Sequence, residues 1–164
     1  MSENVATPPQ LLYHRSNALY VPGDRILPGN WGRIVLGIGA THPHFFREYL
    51  WERLRQSEFP KLPSRMAAAF AFQEFARAES FVQNAGWPTY TYIVTMADVA
   101  LPKHRADIGW WDIVAGYHAF HSAEGCARHY WKGDEQSASG WEWLTAGELI
   151  VTQRLTPVPS NGAA

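Results

Sequence analysis

EFPKLPSRMAAAFAF, residues 58–72, joins a helical pattern to a strand of small and aromatic residues. Pro60 and Pro63 fix φ at about −65° and bias the residues before them toward extended geometry, so the stretch is stiff and non-helical. Arg65 follows on this rigid platform, just ahead of a strand expected over 66–72. A stiff loop that aims one arginine fits a binding role, or a pair with a surface carboxylate; exposed pairs of that kind contribute little.

Working outward, residues 43–56 read as a helix. Pro43 suits its first position, with Thr41 or His42 as cap, and Phe46, Leu50 and Leu54 repeat at four with Phe45 and Tyr49 beside them. Glu48, Glu52 and Arg55 lie on the same segment. Residues 73–84 predict a second helix with Phe75, Ala78, Phe81 and Val82 inward, stopped by Gly86 and Pro88. Residues 89–96 (TYTYIVTM) alternate with period two and are rich in β-formers, which predicts a strand. LLYHRS at 11–16 reads as a short buried strand and RIVLG at 33–37 as another, around a turn-rich 17–30 marked by Pro22-Gly23 and Pro28-Gly29. Residues 98–115 read as irregular, 122–132 as a third helix ending at Gly133, and 134–139 as a polar loop. Residues 141–144 and 148–155 predict a hairpin across Ala146-Gly147. Strands and helices mix without regular βαβ alternation, which favours α+β. The expected organisation is one domain over 11–155, with flexible tails at 1–10 and 156–164.

The 164 residues suit one full core. Eight Trp, eight Phe and seven Tyr exceed what a simple core requires, so some rings are expected to line a groove. A formal net charge of −1 supplies no global basic field for nucleic acid. Cys126 is the one cysteine, so no internal disulfide forms, and a reducing compartment is expected. It falls in a helical apolar stripe with Ala123, Ala127, Tyr130 and Trp131, which reads as core. No apolar run reaches the length of a membrane span and no apolar signal core opens the chain; a cytoplasmic, non-membrane protein is expected.

Several tracts carry a resemblance. FPKLPSRMAAAFAF, QEFARAESFV, TYTYIVTM, GCARHYWKG and WEWLTAGELIVTQRL follow one another in an order similar to the DUF2441 family of uncharacterised proteins, over roughly residues 11–155. LYHRSNALYVPGDRILPGN also resembles the opening of small antibiotic-modifying ADP-ribosyltransferases, with Arg-Ser after His14 where that family has Gly-Thr. FAF followed by QEFARAESF resembles their middle strand and helix, although alanine (Ala69 or Ala71) stands where a serine is often found. WEWLTAGELIVTQRL resembles their late glutamate strand, with Gly140 at the first position of the E-x-E of arginine-modifying members, which argues against an arginine acceptor.

The resemblance implies a split antiparallel sheet with flanking helices and transfer of ADP-ribose from NAD to a macromolecular or small-molecule acceptor. In that picture Glu142 stabilises the ribosyl cation, because a carboxylate steadies positive charge that develops beside it. His14 orients the ribose from the first strand, with Tyr13 beside it; Arg15 or Arg65 meets the pyrophosphate, and Tyr92 or Phe72 stacks on nicotinamide. Asp107 is a reserve acid. The resemblance leaves the oligomeric state open.

Other readings compete. His14 also fits a packed strand residue bonded to a backbone carbonyl, and Glu142, on the strand face opposite Trp141 and Trp143, fits a solvent-facing or a cleft residue. A catalytically inactive transferase-like module that binds protein or nucleotide is the main alternative, with Trp110, Trp111, Trp141 and Trp143 as interface candidates. His118, His121 and Glu124 share helical spacing, with His129 following and His42 and His44 elsewhere, but no established zinc motif is present and no metal is expected. No G-x-S-x-G elbow, dinucleotide fingerprint or P-loop occurs.

Overall fold

The computed structural model describes residues 8, 11–81, 89–115, 120–137 and 140–155. The expected helix end at 82–88, His118 and both tails lie outside them, apart from isolated residues. Seven strands form one antiparallel sheet: β1 (Leu12–Ser16), β2 (Arg25–Ile26), β3 (Ala69–Phe72), β4 (Tyr90–Met96), β5 (Lys103–Asp107), β6 (Trp141–Thr145) and β7 (Leu149–Arg154). Their spatial order is β2-β7-β4-β1-β3-β6-β5. Among the described residues, five α-helices accompany them: α1 (Asn30–Ile38), α2 (Phe45–Glu58), α3 (Phe75–Ser80), α4 (Gly109–Ala115) and α5 (Phe120–Lys132). The architecture is therefore single-domain α+β. Among the described residues, no helix is long and apolar enough to cross a membrane.

The sheet narrows at its middle. β1 runs beside β4 from Leu12↔Val94 to Ser16↔Tyr90, and β3 beside β6 from Ala69↔Thr145 to Phe72↔Glu142. Between β1 and β3 the one paired position is Tyr13↔Phe72. Two half-sheets thus meet at a short junction.

Alternation sends successive side chains to opposite faces, and each face has its own core. On one face, Phe70, Leu144 and Ala106 pack with Trp51 and Leu54 of α2, Trp111 of α4, and Ala127, Tyr130 and Trp131 of α5. On the other, Ala69, Ala71 and Trp143 pack with Leu12, Tyr90, Tyr92, Val94, Leu149 and Val151.

Four expectations are corrected. Residues 33–37 are not a strand but part of α1, which starts from Gly29 at φ 86° and buries Gly32 and Val35; contact with the 58–68 loop overrides the β-propensity of Ile34-Val35. The 98–115 stretch is not irregular but holds β5 and α4, because β5 completes the free edge of β6. Residues 141–144 and 148–155 do not pair as a hairpin. β6 lies between β3 and β5, and β7 between β4 and β2, so the 146–148 turn carries the chain from one half-sheet to the other. On α2 the buried face is Glu48, Trp51 and Leu54, whereas Phe46 and Tyr49 are exposed at 70% and 59%. Trp51, packed edge-on against Trp111, sets that rotation.

Candidate functional site

The stiff loop does aim Arg65, and inward. Arg55 on α2 donates to the carbonyls of Leu62 (2.9 Å) and Pro60 (3.3 Å), and its guanidinium pairs with Glu52. Ser64 Oγ donates to Glu52 Oε2 at 2.9 Å. These bonds clamp the loop to α2, and Arg65 enters the core between them and β3.

There it meets two carboxylates. Its Nε donates to both oxygens of Glu48 at 3.2 Å, and its Nη1 donates to Glu142 Oε1 and to the Tyr130 hydroxyl. Tyr130 in turn donates to Glu142 Oε1 at 2.5 Å, and Trp31 Nε1 to Glu48 Oε1 at 2.5 Å. The guanidinium carbon lies 4.7 Å from the ring centre of Trp111, 5.0 Å from Phe70 and 5.1 Å from Tyr130. Charge–ring attraction is strongest where water is excluded, as here. Arg65, Glu48, Glu142 and Tyr130 are all buried.

The network sets its own protonation. Burial drives the Glu48 carboxyl above its ordinary value, opposed by the Arg65 charge and the Trp31 and Arg65 bonds. Burial also raises the Tyr130 hydroxyl, so it stays a neutral donor. At the rim, Arg47 stacks 3.7 Å from the Trp111 ring centre and donates to His44 Nδ1 at 2.5 Å. Burial first, then Arg47, lowers His44 to about 4, so the ring is neutral and free to accept.

His14 stands elsewhere. It pairs with Tyr92 across β1/β4, on the face of Ala71 and Trp143, while Glu142 shares the opposite face with Phe72 and Ala106. Its Nδ1 donates to the Phe70 carbonyl at 2.7 Å, bridging the half-sheets beside their junction. A carbonyl only accepts, so Nδ1 carries the proton and Nε2 holds a lone pair. Burial lowers the ring's pKa, which keeps it neutral.

The remaining residues divide between these places. Tyr13 packs edge-on against Phe75, and Phe72 lies tilted against Phe81. Arg15 donates to Glu79, to Thr91 Oγ1 at 2.8 Å and to Thr89 Oγ1 at 2.6 Å. Tyr92 donates to the Ala18 carbonyl and accepts from the Tyr20 amide, fixing the loop after β1. Asp107 is occupied by the amides of Gly109, Gln136 and Ser137 and organises that turn. The structure therefore brings Arg65 and Glu142 together and leaves His14 on the far face. Cavities of about 310 Å³ (Leu50, Arg53, Glu124) and 190 Å³ (Leu36, Phe45, Tyr49) touch neither Glu142 nor His14. Among the described residues, no group of three or more His, Cys, Asp or Glu side chains is placed to hold a metal.

Sequence reasoning gave Glu48, Trp31 and Tyr130 no part in the site. Glu48 stands three residues before Trp51 on the helix facing the arginine loop, a spacing that puts both on one face. Nothing in the sequence marked Trp31, which reaches Glu48 only because α1 is helical.

The fold and site define an α+β protein with a buried Arg–Glu–Glu–Tyr network under a waisted sheet. Residues 33–157 match the family described as protein of unknown function (DUF2441), and the chain belongs to that family. No curated protein matches the sequence.

Proposed function

We propose that this is an ADP-ribosyltransferase-like protein that binds NAD beside the junction of its half-sheets and transfers ADP-ribose to an acceptor. The observation that carries the reading is His14: a neutral ring, anchored through Nδ1 to the Phe70 carbonyl, with no partner for Nε2 among the described residues. Such a lone pair accepts a ribose hydroxyl. In the transfer, the bond from ribose C1′ to the nicotinamide nitrogen breaks with its electron pair leaving on nicotinamide. An acceptor lone pair forms the new bond to C1′, and the acceptor loses a proton. Glu142, the acid on β6, lies on the face opposite His14 and is held by Arg65, so it serves this chemistry only if it leaves Arg65 and the ribose reaches across the short junction to that face.

That ion pair favours a second reading, a catalytically inactive module that binds the nucleotide without turning it over. Calorimetry with NAD, and labelled NAD incubated with cell lysate, separate the two. Binding lost in His14→Ala, with label transfer lost but NAD binding kept in Glu142→Gln, supports the transferase. Binding without transfer supports the module, and no binding by the wild type rejects both.

A further inference from the structure

Arg105 lies at the edge of the sheet, on β5, outside the network above. Its guanidinium carbon lies 3.5 Å from the ring centre of Trp141, and its Nε donates to Gln73 Oε1 at 3.1 Å. Arg25, Arg55, Arg65, Arg77 and Arg128 each touch a carboxylate within 4.0 Å. Among the described residues Arg105 has no such contact, and its two Nη groups have no acceptor. Glu135 and Asp107 are close enough to act through their field alone, and the Asp107 oxygens already accept from Gly109, Gln136 and Ser137.

The geometry is that of a held fork. The indole fixes the guanidinium plane, Gln73 fixes its rotation, and the outer donors remain open. An arginine so arranged loses little freedom when it binds, and its planar donor pair matches two oxygens of a phosphate. Position adds to this. Arg105 pairs with Trp143 and Trp143 with Ala71, and the Tyr13↔Phe72 register puts His14 next in the same row. Strand spacing sets the two Cα atoms about 14 Å apart on one face. Trp143, between them, has a buried Nε1–H without a partner among the described residues.

We infer that Arg105, held flat on Trp141 and tied to Gln73, is an anion subsite that takes the phosphate or pyrophosphate group of a nucleotide ligand. The identity of that ligand rests on the NAD reading above; the preference for an oxyanion does not.

The test is calorimetry on the full chain with ADP-ribose, ADP and inorganic pyrophosphate, each at two salt concentrations. Arg105→Gln is expected to weaken all three by about tenfold to a hundredfold, the range for a lost charged hydrogen bond, with an unchanged thermal midpoint. Arg105→Lys is expected to restore part of the affinity by charge without the fork. If Arg105→Gln destabilises the fold, Gln73→Ala is the second probe; it keeps the charge, frees the rotation and is expected to weaken binding less. Equal affinity in wild type and Arg105→Gln, or no binding of any of the three by the wild type, overturns the subsite. Loss in Arg105→Gln with full ADP-ribose affinity in His14→Ala leaves the subsite standing and removes the His14 reading.

Discussion

Arg65 and Glu142, 77 residues apart in sequence, meet as a buried ion pair through Nη1 and Oε1, and Tyr130 closes the third side. The pair ties the loop before β3 to β6. Removing one partner of a buried pair leaves an uncompensated charge, which costs about 3–5 kcal/mol, whereas replacing the whole group with apolar residues is often neutral. Arg65→Met is therefore expected to lower unfolding stability by roughly that amount. Arg65→Met combined with Glu48→Leu and Glu142→Leu is expected to recover most of it. Urea titration of the single and triple variants checks this; equal losses would mean the charges are not coupled.

Glu48 gives the network a pH signature. Its carboxyl is raised in the folded chain by burial, above the 4.5 of an ordinary glutamate. A group raised on folding binds its proton more tightly in the native state, so its contribution is complete below the unfolded value. It is lost as pH rises through the folded one. Trp31 opposes the shift by bonding the charged form. Trp31→Phe is expected to raise the folded value further and extend the falling limb to higher pH. Glu48→Gln is expected to remove that limb. Thermal midpoints measured from pH 4 to 8 decide the matter, and identical profiles for wild type and Glu48→Gln would exclude this role.

How much of this was legible beforehand divides along the physics. β4 was legible because alternation and β-branching agree over residues 89–96, and α5 because its apolar stripe is unbroken. The stiffness of residues 58–65 ahead of the aimed Arg65 followed from Pro60 and Pro63, but the strand expected at 66–72 begins only at Ala69. The Arg65–Glu142 pairing did not follow, because no local rule fixes which distant carboxylate an arginine meets. The strand expected at 33–37 became a helix since the β-propensity of Ile34-Val35 is weaker than the packing of Gly32 on the Met66 carbonyl. The hairpin expectation failed for a related reason: turn chemistry at Ala146-Gly147 reports a reversal, not which strands claim the edges of β6 and β7.

His104 supplies a slope of opposite sign. It is buried, stacked on Trp131, and donates through Nε2 to the Tyr130 carbonyl at 3.1 Å. Burial lowers it to about 4, from the 6.5 of a free imidazole. A depressed group contributes stability that is present above its unfolded value and lost as pH falls through its folded one. Between pH 6.5 and 4 this loss amounts to something on the order of 3 kcal/mol. His104→Asn keeps a side-chain donor and cannot titrate, so its stability is expected to change less across that window. An unchanged slope in His104→Asn would assign the acid loss to other groups, His44 first among them.

The close approach of α1 to the arginine loop makes a paired test. A Cβ on Gly32 would fall 1.9 Å from the Met66 carbonyl oxygen and 2.7 Å from its carbon, whereas one on Gly37, in the same helix, meets nothing within 4 Å. Glycine in a helix interior is ordinarily about 0.5–1 kcal/mol worse than alanine. Gly37→Ala is therefore expected to stabilise by that amount. Gly32→Ala gains the same propensity but pushes backbone against backbone, and overpacking of that kind costs about 1–3 kcal/mol. The displaced helix also carries Trp31, whose indole bonds Glu48, so the loss is expected to come with a higher Glu48 pKa. Unfolding midpoints of the two variants should move in opposite directions. If both rise, α1 does not rest on the Met66 carbonyl, and the route from Trp31 into the buried network fails with it.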